Sequence, residues 1–216
     1  MKKVVHILNT NSFSGAENVV ITILNHLTDD TDYEVIYVSL DGEIKDFLNE
    51  YKLKYYFLDK MNILSLKKMI NELKPDIIHC HDFTTSIFTA CTFTRVPIVS
   101  HLHNNPFWIK NINVRSILYR LSLYRYKCVI GVSESIFQEY IFSDKIKNKI
   151  VLSNPIDLSM IRSIDFGDKY DVIFLGRLTE QKDPLRFIEI IKSLKEKMPS
   201  IRAVMVGEGN LHEQCE

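Results

Sequence analysis

Short runs of β-branched and aromatic residues alternate along this chain with longer stretches whose apolar residues recur every three or four positions. Residues 3–8 read as a buried strand. Residues 17–27 carry Val20, Ile23, Leu24 and Leu27 at helical spacing. The alternation continues with strands at 33–40, 54–58, 77–80 and 98–102 and helices at 43–51, 63–73 and 84–93. Pro75 is expected to stop the helix at 63–73. A helix over 114–124 has an apolar stripe at Val114, Ile117, Leu118 and Leu121. A strand at 128–132 follows, Ser133 stands where an N-cap belongs before a helix over 134–141, and 150–152 closes this half.

Alternating strand and helix over such a length predicts a parallel sheet with helices on both faces. Ligands of such sheets sit outside the carboxyl ends of the strands, so the residues just after each strand carry the chemical interest. The pattern breaks around 154–169, where Pro155, Gly167 and several Asp and Ser residues cluster. A βαβ run then restarts at 170–175, 184–197 and 201–206, with Phe187, Ile190, Ile191 and Leu194 as the expected buried face of its helix. The expected organisation is a first domain over 1–160, a linker over 161–169 and the start of a second domain over 170–216. A domain usually needs ~100–150 residues, so the second is expected to be incomplete.

Composition narrows the classes. Hydrophobic residues make up 46% of the 216 residues, enough to build a core. The 27 basic residues balance the 27 acidic ones, so net charge gives no reason to expect a nucleic-acid partner. The four cysteines show no C-x-x-C spacing and read as reduced thiols of a cytoplasmic protein. No apolar run is long enough to span a bilayer. Between Phe83 and Ser133, however, there is no acid, and Arg95, Lys110, Arg115, Arg120, Arg125 and Lys127 interleave with Phe107, Trp108, Tyr119, Tyr124 and Tyr126. That composition suits a peripheral contact with anionic headgroups at the inner membrane face. Buried strands also lack acids, and three arginines spaced five apart do not share a helix face.

Five short motifs follow strands. Ser14-Gly15-Ala16-Glu17 opens a helix, where a glycine admits close approach and free N–H groups suit a phosphate; a plain capped turn is the other reading. His79-Cys80-His81-Asp82 and His101-Leu102-His103 each place two histidines on one strand face. They fit either metal ligation or ordinary hydrogen bonding at strand ends. His103, delivered to the ligand edge, can donate a hydrogen bond to a sugar hydroxyl or a developing charge. Gly176-Arg177-Leu178-Thr179-Glu180-Gln181-Lys182 lies between a strand and a helix, and Arg177 and Lys182 can reach one anion. Its alternative is a surface loop with two solvated cations. Val206-Gly207-Glu208-Gly209-Asn210-Leu211 repeats the strand–glycine–helix arrangement.

In order, these segments resemble the retaining GT-B glycosyltransferases of family 4, and the resemblance covers the whole chain. Ser14–Glu17 is similar to the family's "GGAE" loop, Asp76–His81 to "D-V-V-H-x-H" and Pro97–His103 to "P-x-V-x-T-x-H". Val132–Ser135 resembles the "V-S-E" helix start and Asn154–Asp157 resembles "N-G-V-D". Gly176–Lys182 resembles "G-R-L-x-x-x-K", and Val206–Leu211 resembles "V-G-D-G-P-L". Ser14 and Pro155 stand where the family has glycines, which alters the first loop and stiffens the linker.

The resemblance implies two Rossmann-like domains and transfer of a sugar, with retention, from a nucleotide-diphosphate sugar to a saccharide or lipid-linked acceptor. UDP is the expected nucleotide, and surface polysaccharide or glycolipid assembly the expected setting. Gly15 and Gly209 would approach the donor, His103 would meet the transferred sugar, and Arg177 and Lys182 would bind the diphosphate and stabilise the leaving group. Neither a bound metal nor a cofactor is implied. The family's "E-x7-E" motif is expected beyond Glu216, so a non-catalytic fragment, or half of an enzyme that needs a partner chain, is the alternative. Epimerases and phosphorylases share the architecture.

Overall fold

Parallel strand pairing organises the first part of the chain. The structure is a computed structural model that describes residues 1–28, 32–156 and 170–216. It divides into two compact units, Met1–Leu158 and Ser159–Glu216. The linker expected over 161–169, and the domain boundary at 160, fall outside the described residues.

In the first unit, β1 (Lys2–Ile7), α1 (Gly15–Thr28), β2 (Tyr33–Leu40), α2 (Ile44–Glu50), β3 (Tyr55–Leu58), α3 (Ile63–Leu73), β4 (Ile77–Cys80) and α4 (Phe83–Ala90) follow in turn. Then come β5 (Ile98–Leu102), α5 (Val114–Ser122), β6 (Tyr126–Gly131), α6 (Glu134–Glu139) and β7 (Lys149–Val151). All seven strands pair in parallel in the order β3-β2-β1-β4-β5-β6-β7. The chain leaves β1 toward β2 and β3, then returns to the other side of β1 with β4. The order therefore reverses at the β1–β4 pair, where a crevice opens at the carboxyl ends of the strands. Side chains on the two faces feed separate buried layers. Val5, Ile7, Ile78 and Ile98 pack against α3, while Val4, Leu8, Val35 and Tyr37 pack against α1 and α2. Each fully buried aliphatic side chain here contributes roughly 1.5–3 kcal/mol.

Local chemistry sets the helix ends. Asn62 accepts from Ser65 N at 2.9 Å to start α3, and Lys74, in the left-handed region at φ 47°, ends it one residue before Pro75. The helix expected to run through Phe93 stops at Ala90, and Phe93 itself is left-handed at φ 54°. The helix expected over 134–141 ends at Glu139, and Ser133 bonds to the Ser135 hydroxyl at 2.6 Å rather than capping through its side chain.

α5 turns its apolar stripe outward. Val114, Leu118 and Leu121 are 73%, 42% and 54% exposed, while Ser116, Tyr119 and Ser122 are buried. The reason is a polar rail. The Tyr119 hydroxyl lies 2.8 Å from Ser100 Oγ, which lies 2.7 Å from Ser86 Oγ, which donates to the Asp82 carbonyl at 2.6 Å. Ser116 donates to the Asn111 carbonyl at 2.8 Å, and Tyr140 donates to the Ser116 carbonyl at 3.1 Å. The Tyr119 ring meets Phe83 edge-on at 4.7 Å between centroids and Tyr140 at 5.5 Å. Aromatic area and satisfied hydroxyls together anchor α5 by its small-and-aromatic side.

The second unit contains β8 (Val172–Leu175), α7 (Pro184–Lys197), β9 (Ala203–Val206) and α8 (His212–Cys215), with β8 and β9 paired in parallel. Ile190 on α7 and Ile173 and Leu175 on β8 are exposed, so the apolar face expected to be buried is only partly covered. Two strands offer too little sheet to cover it.

Tyr119→Phe removes the end of the rail and should lower unfolding free energy by about 1–2 kcal/mol. Tyr119→Ala also opens a cavity and should cost about 3–5 kcal/mol. Urea denaturation compares the two; equal stability of Tyr119→Phe and wild type would contradict the rail.

Candidate active site

The crevice at the reversal point holds a cleft of about 300 Å³. Its walls come from the segments after three strands: Leu8, Asn9 and Thr10 after β1, His81 and Asp82 after β4, and His103 and Asn104 after β5. Ser14, Ala16 and Glu17 at the start of α1, with Phe83 and Trp108, complete it. Glu17 is 2% exposed and takes the hydroxyl hydrogens of both Thr10 and Ser14, which ties the β1–α1 loop to the helix. Ser14 thus acts as a clamp where the resembling family has glycine. A Cβ added at Gly15 would meet nothing within 4 Å, so open space surrounds the first residue of α1. Asp82 accepts from Thr85 N at 2.8 Å and caps α4; burial raises its carboxyl pKa, against the pull of the Thr85 and Thr84 N–H groups.

Behind the cleft wall lies a layer of five imidazoles. The β1–β4 register sets His6 beside His79, and the alternation of β4 and β5 turns His79, His81, His101 and His103 to the same side. Ring centroids are 4.2 Å apart for His79–His81 and for His101–His103, and 5.2 Å apart for the stacked His6–His81 pair. His6 Nδ1 lies 3.0 Å from His81 Nε2, and His81 Nδ1 lies 3.0 Å from His103 Nε2. Five other ring nitrogens are buried without a hydrogen-bond partner: His6 Nε2, His79 Nε2, both nitrogens of His101, and His103 Nδ1. Two triads, His6–His79–His81 and His81–His101–His103, bring ligating nitrogens within 4.8 Å of one another. Burial, helped by neighbouring imidazoles, lowers the pKa of His6 and His101 from 6.5 to about 3. His79 and His81 fall well below their ordinary value for the same reasons. Burial brings His103 to about 4 despite the opposing Glu17 charge and the Asn154 side chain beside it. The five rings are neutral at pH 7.

In the second unit, two loops are sewn together. Gly176 N donates to the Val206 carbonyl at 3.0 Å, Leu178 N to Glu208 at 2.8 Å and Leu211 N to Leu178 at 3.0 Å. Asp183, left-handed at φ 51°, caps α7, and Pro184 takes its first turn. Arg177 and Lys182 are exposed on this turn and make no ion pair among the described residues; the Arg177 guanidinium reaches only Gln181 Oε1, at 3.5 Å. Gly207 has φ +149°, and a side chain there would run into the Gly176 carbonyl. A Cβ on Gly209 would run into the Leu178 carbonyl. The Leu178 carbonyl thus occupies the side on which a Gly209 side chain would lie, while Gly209 itself is exposed.

A model of Glycosyltransferase Family 4 matches residues 13–160. The chain belongs to glycosyltransferase family 4. It is 26% identical, over all of its own length and 64% of the relative's, to a Campylobacter jejuni alpha-1,4-N-acetyl-D-galactosaminyltransferase named for a diphosphoundecaprenol-linked acceptor. It is 25% identical, over 97% of its length and 62% of the relative's, to the Escherichia coli UDP-Gal:alpha-D-GlcNAc-diphosphoundecaprenol alpha-1,3-galactosyltransferase. The Anabaena protein HepE in complex with UDP superposes with a TM-score of 0.81 at 18% identity, over 99% of this chain and 63% of that one. The fold is thus the Rossmann-like GT-B type, and the chain spans just over three-fifths of the length of these proteins.

Within this family 4 chain, His103 lines the cleft wall and Gly15 stands between two residues that line it. Arg177, Lys182 and Gly209 gather in the second unit. Sequence reasoning missed His6, Glu17 and Trp108 as site residues. His6 sits mid-strand, and only the register with β4 reveals its neighbours.

The neutral imidazole layer has a pH consequence. Folded-state pKa values below the unfolded value leave stability full above 6.5 and remove it as pH falls from there toward 3–4. Urea midpoints should be level from pH 8 to 7 and fall steadily from pH 6.5 to 5. His6→Phe should shallow that fall. A midpoint that stays level to pH 5 would contradict the buried neutral layer.

Proposed function

We propose that this chain supplies the acceptor-side domain and the diphosphate grip of a glycosyltransferase that uses a nucleotide-diphosphate sugar, UDP being the nucleotide, and a lipid-linked saccharide acceptor. The carrying observation is the cleft at the carboxyl ends of β1, β4 and β5, which lies in the family-matched part of the chain and has an open helix N-terminus at Gly15. The UDP in the Anabaena structure and the undecaprenol-linked acceptors in the relatives' names support the choice of donor and acceptor.

The catalytic lever is stabilisation of the leaving nucleoside diphosphate. Arg177 offers a planar fork of donors and Lys182 a mobile point charge, and both remain solvent-facing for an anion. His103 faces the transferred sugar. The two cleft carboxylates are already committed, Glu17 to Thr10 and Ser14 and Asp82 to the α4 cap. Without a free carboxylate among the described cleft residues, a double displacement lacks a nucleophile. That favours retention by front-face attack, with the departing phosphate taking the acceptor proton. In the protein expressed from its full gene, Arg177→Ala or Lys182→Ala should lower kcat/KM for a UDP-sugar by about 10²-fold or more, read by mass-tagged donor transfer. Unchanged kcat/KM in the double variant would remove the assigned roles.

A lipid-linked acceptor brings the protein to a bilayer at its inner face, and the outward side of α5 suits that surface. Val114, Ile117, Leu118, Leu121 and Tyr124 are exposed there, with Phe107 and Ile112 beside them in sequence. Arg115 and Arg120 are exposed on the same helix, and Arg120 also borders a basic groove with Lys145 and Lys147. Arg115 and Arg120 flank the apolar stripe on opposite sides, so cationic attraction, at ~1 kcal/mol per basic residue near anionic lipid, adds to apolar insertion. Arg125 is instead turned onto the Thr94 carbonyl, and Lys110 pairs with Glu139 at 3.4 Å. Among the described residues, no helix is long and apolar enough to cross a membrane. Vesicles containing phosphatidylglycerol should sediment the wild-type protein, and Leu118→Glu with Leu121→Glu should release it. Equal sedimentation of both proteins would contradict docking through α5.

A further inference from the structure

The imidazole layer contains a line with a direction. His103 Nε2, His81 Nδ1, His81 Nε2 and His6 Nδ1 join three rings through two contacts of 3.0 Å. Each neutral imidazole has one N–H and one bare nitrogen. If His81 donates to His103, it must accept from His6; if it accepts from His103, it must donate to His6. The three tautomers are therefore coupled, and the line has two possible polarities.

The line's ends choose between them. In one polarity His6 carries its hydrogen on Nδ1, its buried Nε2 is a bare acceptor, and His103 carries its hydrogen on Nδ1. In the other, His6 Nε2 becomes an N–H with no acceptor deep in the fold, where His6 is 1% exposed. A buried donor without a partner is the costlier defect. At the other end, His103 Nδ1 is likewise buried without a hydrogen-bond partner, but its ring is only half-buried at the cleft wall and the Asn154 side chain stands beside it. That is the cheaper place for the terminal hydrogen. His79 and His101 lie against the line, with ring centroids 4.2 Å from those of His81 and His103 respectively.

We propose that His6 and His81 are positioning residues for His103: the hydrogen-bonded line His6–His81–His103 fixes the ring orientation of His103 and its Nδ1–H tautomer. The inference rests on the reading of His103 as the residue that faces the transferred sugar, because a fixed N–H there is a fixed donor for a sugar oxygen. Neither strand pairing nor packing needs this polarity.

The test needs neither donor nor acceptor. On the 216-residue chain labelled with ¹⁵N-histidine, long-range ¹H–¹⁵N spectra at pH 7 should show His103, His81 and His6 each as a single Nδ1–H tautomer. ¹⁵N–¹⁵N couplings across hydrogen bonds should link His6 Nδ1 to His81 Nε2 and His81 Nδ1 to His103 Nε2. His81→Phe keeps a ring of similar size but removes both links, and His103 should then populate both tautomers. His81→Asn, whose amide can donate to His103 Nε2, should restore the Nδ1–H form. An Nε2–H signal at His103 in the wild type would overturn the proposal, and so would a single Nδ1–H tautomer that persists in His81→Phe. Nitrogen shifts of metal-ligated imidazole that EDTA removes would overturn it in favour of a metal site. If the transfer assay fails while the couplings and the variant response appear, the line stands and the reading of His103 as a sugar contact falls.

Discussion

The cleft depends on one arrangement: β4 pairs in parallel with β1 on one side and β5 on the other. That adjacency is what reverses the strand order and leaves a crevice at the carboxyl ends. It also brings three short loops, after Leu8, Cys80 and Leu102, onto one rim. Strands of four to six residues suffice because the sheet is covered on both faces, so their backbone bonds are kept from water. A shift of β4 by one residue would turn His79 and His81 to the opposite face and break up the imidazole layer.

The same three strands explain why so polar a group can be buried. Five neutral imidazoles are apolar enough to stack and polar enough to bond one another. They form a layer between aliphatic core and solvent-facing cleft. Placing a charge there would be costly, which is why the depressed pKa values and the stacking belong together. On the far side of β5, the Tyr119–Ser100–Ser86 rail plays the corresponding part for α5. It binds that helix by hydroxyls and aromatic rings and leaves the aliphatic stripe outside.

Much of this was legible in the sequence, and the failures have physical causes. The strands at 33–40, 77–80 and 98–102 and the helix at 63–73 appear with the bounds that periodicity gives. Buried strands between clear turn residues leave little room for error. The two H-x-H pairs were legible as same-face pairs, because side-chain alternation is local. Their union with His6 was not, because it depends on register between strands 70 residues apart in sequence. Which side of α5 is buried was not legible, because Tyr119 finds Ser100 on β5 and the Ser116 carbonyl finds Tyr140, partners that no local window contains. The need for glycine at 209 was legible as close approach, but not its internal reason, the Leu178 carbonyl where a side chain would lie.

Family membership and the geometry meet at the two exposed cations of the second unit. Arg177 and Lys182 sit on a turn held by backbone bonds to the 207–211 loop, and nothing described in the protein neutralises them. The proposal with the widest consequence is that this turn receives the donor diphosphate. The most direct measurement is a crystal structure, with UDP bound, of the protein expressed from its full gene. Diphosphate oxygens are expected within ~3 Å of the Arg177 guanidinium and the Lys182 ammonium. A diphosphate bound elsewhere, with both cations left in solvent, would contradict it.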